Sequence, residues 1–520
     1  MSPMLPVLSA QAIRELDRRA EALGLPALLL MESAGRGAAE EIRRWLSDVR
    51  GRRFLGLCGR GGNGGDALCA LRYLGLWGAE VRAVVLGEPT GPASVEFQAF
   101  SSSFPGRARV VREEKEWEGV GDWLGWAEVV LDGILGVGVE GAARGLARRA
   151  IESLGGFSGL VVAVDLPSGL SADSGGIPGP AVRAHLTLAM GALKPCHLLP
   201  PAAERCGEVR VVEVAYPPAA WEGLPPLALV LTEDHCARVL PPRPRFGHKG
   251  TFGRVLVVAG AVGMAGAAAL CAEGALRAGA GLVHVYTPEP VFPVVARFLP
   301  EALVHPGPAA PDGTFSPQAA EEALRWAQDM DVAVIGPGLG RTPGPAEMVR
   351  AFLTEKFPKL VLDADALFVL AQEKKLLEGT HGELILTPHP GEFARLANAR
   401  PEEIVSEKIR WAKEKAEVWQ AVVVLKGPPT AIAAPGGTVF LNATGNTALA
   451  HGGSGDILAG LIGGLWAGGV AAVDAACLGV FVHGRAAEVL ALEGAARAVL
   501  PSQVLAALPA VFLQLERFSG

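Results

Sequence analysis

The chain is poor in the residues that staple small folds together. Its 520 residues include seven cysteines, at positions 58, 69, 196, 206, 236, 271 and 477. Their number is odd, no CxxC occurs and no histidine pair stands at zinc spacing, which argues against a disulfide framework or a structural zinc. Lysine is scarce, 11 against 36 arginines, so each lysine beside a motif merits inspection. There is no excess of positive charge: 47 basic and 54 acidic residues leave a net charge of −7. No broad basic face is available for a nucleic acid. The N-terminus, MSPMLPVLSAQAIRELDRRA, lacks the basic start and apolar core of a signal peptide. The longest apolar runs, near 257–283 and 457–473, are rich in glycine and alanine. Glu273, Asp456 and Asp474 interrupt or bound them, which fits buried helices better than a membrane span. A cytoplasmic protein with no nucleic-acid or membrane partner is expected.

Half of the residues are hydrophobic, enough apolar surface to offset the conformational entropy of folding and to exclude disorder. The 67 glycines and 39 prolines follow no period, so they signal tight turns and not a collagen-like repeat. At ~150 residues per domain the length suggests about three domains, or two larger ones.

The periodicity favours two. Apolar β-runs at 54–58, 81–86, 129–132, 160–165 and 186–190 alternate with amphipathic helices such as 9–22 and 34–46. Continuous apolar strands alternating with helices predict a parallel sheet covered on both faces. Proline-rich sequence between 217 and 247 breaks the rhythm and reads as a linker. Strand runs then resume at 254–260, 282–286, 331–336, 359–365, 383–388 and 421–427. They predict a second, larger parallel α/β domain. In such sheets ligands sit at the carboxyl ends of strands, near a topological switch point.

The motifs fall at those strand ends. CGRGGNGGDAL (58–68) follows a strand and opens a helix. Its free N–H groups and the helix N-terminus suit an anion, though a tight turn with Asp66 capping the helix fits the spacing too. LDGILGVGVEG (131–141) and VDLPSGLSADSG (164–175) each end a strand in Asp. Asp165 suits a general acid or base, or an Asx-turn. Asn63, Asp132 and the Ser168 region supply hard oxygen ligands, the set for an alkali or alkaline-earth cation.

In the second half, NATGNTALAHGGSGDILAGLIGG (442–464) places GGSGD directly before an apolar helix. Backbone N–H groups and the helix dipole would meet an anion there. Asp456 beside them could take a proton from a hydroxyl during phosphoryl transfer; a capped helix with Asp456 as dipole partner is the plainer alternative. LKGPPT (425–430) offers Lys426. LTPHPGEF (386–393) holds His389 in a rigid turn, IGPGLGR (335–341) is another glycine turn, and 248–270 supply a strand and a small-residue helix start. Asp363 and Asp365 in LDADAL read equally as magnesium or water partners and as strand-end caps.

LSAQAIRELDRRAEALGLPALLLMESAGR (8–36), the GGNGGD loop, DGILGVGVEG, DLPSGL and LTLAMGALKP together resemble the NAD(P)H-hydrate epimerase family, through about residue 215. GGSGD after NxTGN is typical of ribokinase-like kinases. With HKGxxGxVLVVAG, GPGLG, LTPHPGEF and KGPPT it is most similar to the NAD(P)H-hydrate dehydratase family, across roughly 226–512. The resemblance implies an N-terminal Rossmann-like α/β/α sandwich over 1–215, a linker and domain entrance over 216–247, and a ribokinase-like α/β domain over 248–512. It implies epimerisation of hydrated NADH or NADPH, then dehydration of the S form through phosphorylation by ADP or ATP with Mg2+. Gly62, Asn63, Gly64, Gly65 and Asp66, with Gly136, Val137, Gly138, Val139, Glu140, Gly141 and Ala142, would cradle the epimerase substrate. Asn63, Asp132 and Ser168 would hold K+, and Asp165 would be acid/base, with Lys194 a second candidate. Asp456 would be the dehydratase base. Ala267, Gly338 and His389 would contact its substrate, and Lys426, Gly427, Pro428, Pro429, Thr430 and Gly455 the nucleotide. A homo-oligomer is expected. The sequence departs from the family at Gly62 and Cys196, and at Ala261, Phe368 and His451. Two rivals remain: a vitamin-precursor kinase, and a dehydratase whose N-terminal half only binds ligand.

Overall fold

The computed structural model describes residues 4–138, 141–378 and 382–519. It divides into two compact units. One comprises Leu5–Leu227 with Val405–Glu407, and the other Met1–Met4, Ala228–Ile404 and Lys408–Gly520.

In the first unit, strands β1 (Arg53–Cys58), β2 (Glu80–Leu86), β3 (Ala108–Val111), β4 (Val129–Gly133), β5 (Leu160–Val164), β6 (Leu186–Met190) and β7 (Glu208–Val212) form one sheet. Their order is β3-β2-β1-β4-β5-β6-β7, and every pairing is parallel. The order reverses between β1 and β4, the crevice where doubly wound sheets bind ligands. Leu57 pairs with Asp132 and Cys58 with Gly133, so the glycine loop after β1 and the acid ending β4 emerge side by side. Helices α1 (Ala10–Ala22), α2 (Ala27–Leu46) and α3 (Gly62–Leu76) follow in sequence. The Ser9 hydroxyl caps α1, and Ile13, Leu16 and Ala20 form its buried face.

The second sheet contains β8 (Ala228–Val230), β9 (Arg254–Val258), β10 (Leu282–Pro288), β11 (Leu303–Gly307), β12 (Val332–Ile335), β13 (Lys359–Leu362), β14 (Glu383–Leu386), β15 (Val422–Leu425), β16 (Thr430–Ala433) and β17 (Val439–Asn442). They run β8-β17-β16-β15-β14-β13-β12-β9-β10-β11. The switch point lies between β9 and β12. This sheet is mixed, not wholly parallel as the periodicity predicted: β16 runs antiparallel to both β15 and β17. The segment joining β15 to β16 is too short for the crossover that a parallel return requires.

Helices α4 (Ala265–Arg277), α5 (Pro390–Ala397), α6 (Lys408–Trp419), α7 (Ser454–Ala467) and α8 (Ala472–Glu493) belong to this unit. Glycines let α4 and α7 approach closely. A Cβ on Gly460 would lie 1.9 Å from the Cys271 carbonyl oxygen, and one on Gly464 2.5 Å from that of Ala275. The apolar stretch Ala472–Leu492 is long enough to cross a membrane, but 67% of it is buried, with Ala475, Cys477, Leu478 and Val482 in the core. All seven cysteines are free and buried. Residues 216–247, read as a linker, contain a short helix (Pro218–Trp221), strand β8 and the helix Glu233–Val239. Proline punctuates these elements without abolishing them.

Candidate active sites

The crevice of the first sheet opens into a cavity of about 980 Å³. The N-terminal end of α3 forms one wall through Gly62, Asn63, Gly64 and Asp66, and the loop after β4 forms another through Gly136, Val137 and Gly138. Gly64 has no alternative there, because a Cβ would stand 1.8 Å from the Gly59 carbonyl oxygen. Gly62 faces open space, so its lack of a side chain is not a steric requirement. Gly65 turns away from the cavity. Its α-carbon is packed so that a Cβ would lie 2.4 Å from the Met31 sulfur, which makes it a packing residue and not part of the cavity wall. Gly141 and Ala142 are exposed and do not line the cavity. Val139 and Glu140 lie outside the described residues.

Asp165 enters at the end of β5 with φ +67°, a region that Asp tolerates better than most residues but at some strain. The Leu166 N–H closes the turn onto the Val164 carbonyl at 2.9 Å. The Lys194 ammonium, fully buried, donates to Asp165 Oδ1 and to the Met190 carbonyl at 2.9 Å. The Met190 N–H also donates to Oδ1, at 3.2 Å. His197 braces the pair. Its Nδ1 accepts from the Lys194 N–H at 3.1 Å, so Nε2 carries the hydrogen and donates to the Asp165 carbonyl at 2.8 Å. Burial, then the neighbouring Lys194 charge, push the imidazole down to about 4 and keep it neutral.

Beneath the loop, the Ser168 hydroxyl donates to Asp132 Oδ1 at 2.6 Å and its N–H to Oδ2 at 2.8 Å. Burial raises the Asp132 carboxyl to about 6, against these hydrogen bonds. Asn63 donates from Nδ2 to the Leu135 carbonyl at 2.9 Å, while its Oδ1 is buried without a partner. An amide with an orphaned oxygen, a carboxylate, a hydroxyl and a carbonyl from three neighbouring segments are thus linked around Leu135 and Asp132. This donor set fits a hard cation.

In the second unit, α7 begins at Ser454 and carries Asp456 in its first turn. Burial and then the Asp363 carboxylate raise Asp456 to about 7, while Lys426 opposes them. Asp363, 2% exposed, accepts from Lys426 Nζ at 2.8 Å and from the Thr387 hydroxyl at 2.7 Å. Burial works against the Lys426 charge, but Asp363 and Glu392 outweigh it, so its pKa rises. A Cβ on Gly455 would lie 3.4 Å from Lys426 Nζ, so β15 and α7 deliver their predicted residues to one place. Between Asp363 and Asp365, Ala364 has φ +48°. Asp365 instead accepts from the Gly340 N–H at 2.9 Å and Arg341 Nε at 2.8 Å, tying the glycine turn after β12 to β13. Gly338 and Ala267 also meet: a Cβ on Gly338 would lie 2.9 Å from Ala267 Cβ.

His389 is the N-cap of α5. Its Nδ1 accepts from the Gly391 N–H at 3.0 Å, and its own N–H donates to Glu392 Oε2 at 2.9 Å, a capping box built on histidine. Sequence reasoning missed several residues at these sites. Tyr216 and His197 come from parts of the chain without a motif, and Asp17, although it lies in the stretch 8–36, stands among other charges without a signal of its own. Lys408, buried on α6, donates to the Pro429 carbonyl at 2.7 Å beneath the KGPPT loop, and only the scarcity of lysine pointed to it.

Two fold-and-site combinations therefore stand in one chain: a doubly wound sheet with a glycine loop beside a buried Asp–Lys pair, and a mixed sheet with Asp456 in the first turn of a helix that follows a glycine turn. The comparisons with known proteins agree. The family described as YjeF-related protein N-terminus matches residues 27–196, and the one described as NAD(P)H-hydrate dehydratase matches residues 255–510. A relative from Moorella thermoacetica, named bifunctional NAD(P)H-hydrate repair enzyme Nnr, is 38% identical over 98% of this chain and 97% of its own. One of the same name from Escherichia coli is 34% identical over 96% and 92%. A Bacillus subtilis ADP/ATP-dependent NAD(P)H-hydrate dehydratase, crystallised with ATP and Mg2+, is 37% identical over 55% of this chain and 98% of its own, with a TM-score of 0.48. The chain belongs to the family of bifunctional NAD(P)H-hydrate repair enzymes.

Proposed function

We propose that the two units carry out successive steps in the repair of one damaged cofactor. The first interconverts the R and S epimers of hydrated NADH or NADPH. The second removes water from the S epimer at the expense of ADP or ATP. The observation that carries this reading is Asp456, held near 7 in the first turn of α7 beside Lys426 and Gly455. At neutral pH a carboxyl so placed takes a proton from a hydroxyl as the phosphoryl group arrives, and the N–H groups of the GGSGD turn hold the growing charge. Lys426 through Thr430 with Gly455 bind the nucleotide, and Ala267, Gly338 and His389 the hydrated ring. Mg2+ arriving with the nucleotide neutralises phosphate charge. In the first unit, Asp165 is an acid/base held by Lys194. Gly62, Asn63, Gly64 and Asp66 with Gly136 to Gly138 receive the substrate.

Potassium is the cation we assign to Asn63, Asp132 and Ser168, on the strength of the orphaned Asn63 oxygen. When bound it supplies positive charge behind the anion loop. Thermal stability should rise with potassium in the wild type, and Asn63→Leu should lose that dependence. An unchanged potassium response in the variant would remove the assignment.

The test of the whole reading is a time course on mixed epimers with ADP, with ATP and with neither, following the return of reduced-nicotinamide absorbance. Complete recovery with one nucleotide is expected. Recovery that stalls once the S epimer is consumed would make the first unit a binding module.

A further inference from the structure

The cavity of the first unit is more acidic than its assigned chemistry requires. Besides Asp165, the acids Asp17, Glu21 and Asp66 line it, against Arg60 and Arg144, and so does Tyr216. Asp17 reaches the cavity from α1, and the Tyr216 hydroxyl donates to its Oδ1 at 2.6 Å. Oδ2 is left as the oxygen that can carry and release a proton. Four ionised carboxylates in one cavity that receives an anionic dinucleotide would repel each other and the ligand. Asp165 has Lys194 as counter-charge. Asp17 takes its hydrogen bond from the neutral phenol, and Lys194 acts on it without a direct contact.

We propose that Asp17, backed by Tyr216, is a second catalytic residue of the epimerase, acting as the acid when Asp165 acts as the base and the reverse for the other epimer. The inference rests on the reading of this unit as an epimerase. Reduced nicotinamide is a cyclic enamine, and hydration puts the hydroxyl on the carbon bonded to the ring nitrogen. The Asp17 proton passes to that hydroxyl oxygen. The C–O bond breaks with its electron pair on the departing water, and the nitrogen lone pair closes a C=N+ bond. Water then adds to the opposite face. Its oxygen forms the new C–O bond, the C=N pair returns to nitrogen, and the released proton goes to Asp165. One C–O bond is broken and one made, one proton enters and one leaves, and no oxidant or reductant takes part.

The electrostatics agree. Burial raises the Asp17 carboxyl, the Tyr216 hydrogen bond opposes this, Asp165 raises it further, and Lys194 lowers it. The other groups facing it are Glu21 on its own helix and Asp66, whose carboxyl is itself raised by burial and by Asp165 and Asp17. Asp66 belongs to the helix of the anion loop, whereas Asp17 is the acid that a second cavity residue holds in place.

The test uses the full chain and measures interconversion of purified epimers without nucleotide. Dehydration of the S epimer with nucleotide serves as the control for folding. Asp17→Asn should lower epimerisation by about 10²-fold or more and leave dehydration intact. Tyr216→Phe should remain active, but removing the hydroxyl removes a bond that stabilises the ionised form of Asp17. Its alkaline limb, where the acid loses its proton, should therefore move to higher pH. A purely structural tyrosine would not move that limb. If Asp17→Asn epimerises within about threefold of wild type, or the Tyr216→Phe limb stays in place, the proposal falls. Loss of dehydration in Asp17→Asn would be met with Asp17→Glu, which must restore folding and retain epimerisation, or the proposal falls. A wild-type chain that never interconverts the epimers would overturn the epimerase reading itself.

Discussion

In the proposed mechanism, the chemistry of the second unit turns on Asp456. Its carboxyl sits near 7 because burial and Asp363 disfavour the charged form. A base works only when unprotonated. The rate of dehydration at limiting substrate should thus fall as pH drops through about 7, approaching about tenfold per pH unit. Asp456→Asn should reduce dehydration by about 10²–10⁴-fold while nucleotide still binds and the fold persists. Near-normal turnover in that variant would reject the mechanism. Asp456, Asp165 and Lys426 were legible in the sequence because each stands at a strand end or helix start where backbone geometry suggests a ligand, whereas Lys194 was named only through the family resemblance. Asp17 was not legible. It lies in LDRRA, among charges that in a single sequence look like any solvated helix face.

At the scale of elements, the glycine loop after β1 separates necessity from tolerance. Gly64→Ala forces a methyl to 1.8 Å from the Gly59 carbonyl. The loop must open, which should cost about 1–3 kcal/mol and abolish epimerisation. Gly62→Ala meets nothing within 4 Å and should leave stability within about 0.5 kcal/mol. Chemical denaturation of the two variants checks both, and equal losses would mean the loop is not packed as described. The strands missed from sequence were β3, β7, β8, β11, β16 and β17, together with the three-residue strand Leu5–Val7. Several are short or half-exposed edges such as Ala108–Val111 and Leu303–Gly307, where no continuous apolar run forms. The antiparallel turn-back at β16 escaped because KGPP was read as ligand chemistry, although its shortness also constrains the sheet.

At the scale of the molecule, the residues proposed for each chemistry come from a single unit. Full-length Asp165→Asn should consume only the S epimer, and full-length Asp456→Asn should only interconvert epimers. Mixed in one tube, the two variants should restore complete recovery of reduced nicotinamide, because the epimer leaving one chain can enter another. Failure of the mixture, with each variant active in its own step, would mean that substrate passes only within a chain.

The sequence by itself determined the two α/β domains, the central strands and the glycine loops that follow them. Hydrophobic period and glycine placement are local properties that a linear reading captures. The family, too, was legible in the strings GGNGGD, DLPSGL, HPGE and GGSGD. Tertiary structure decided what each polar group is held by. It turned Asp365 toward Arg341 and Gly340, made His389 a helix cap and left Asn63 Oδ1 unpartnered. It also brought Asp17 and Tyr216, 199 residues apart, to 2.6 Å. Such pairings depend on which faces the sheet order brings together, and no spacing along the chain encodes them.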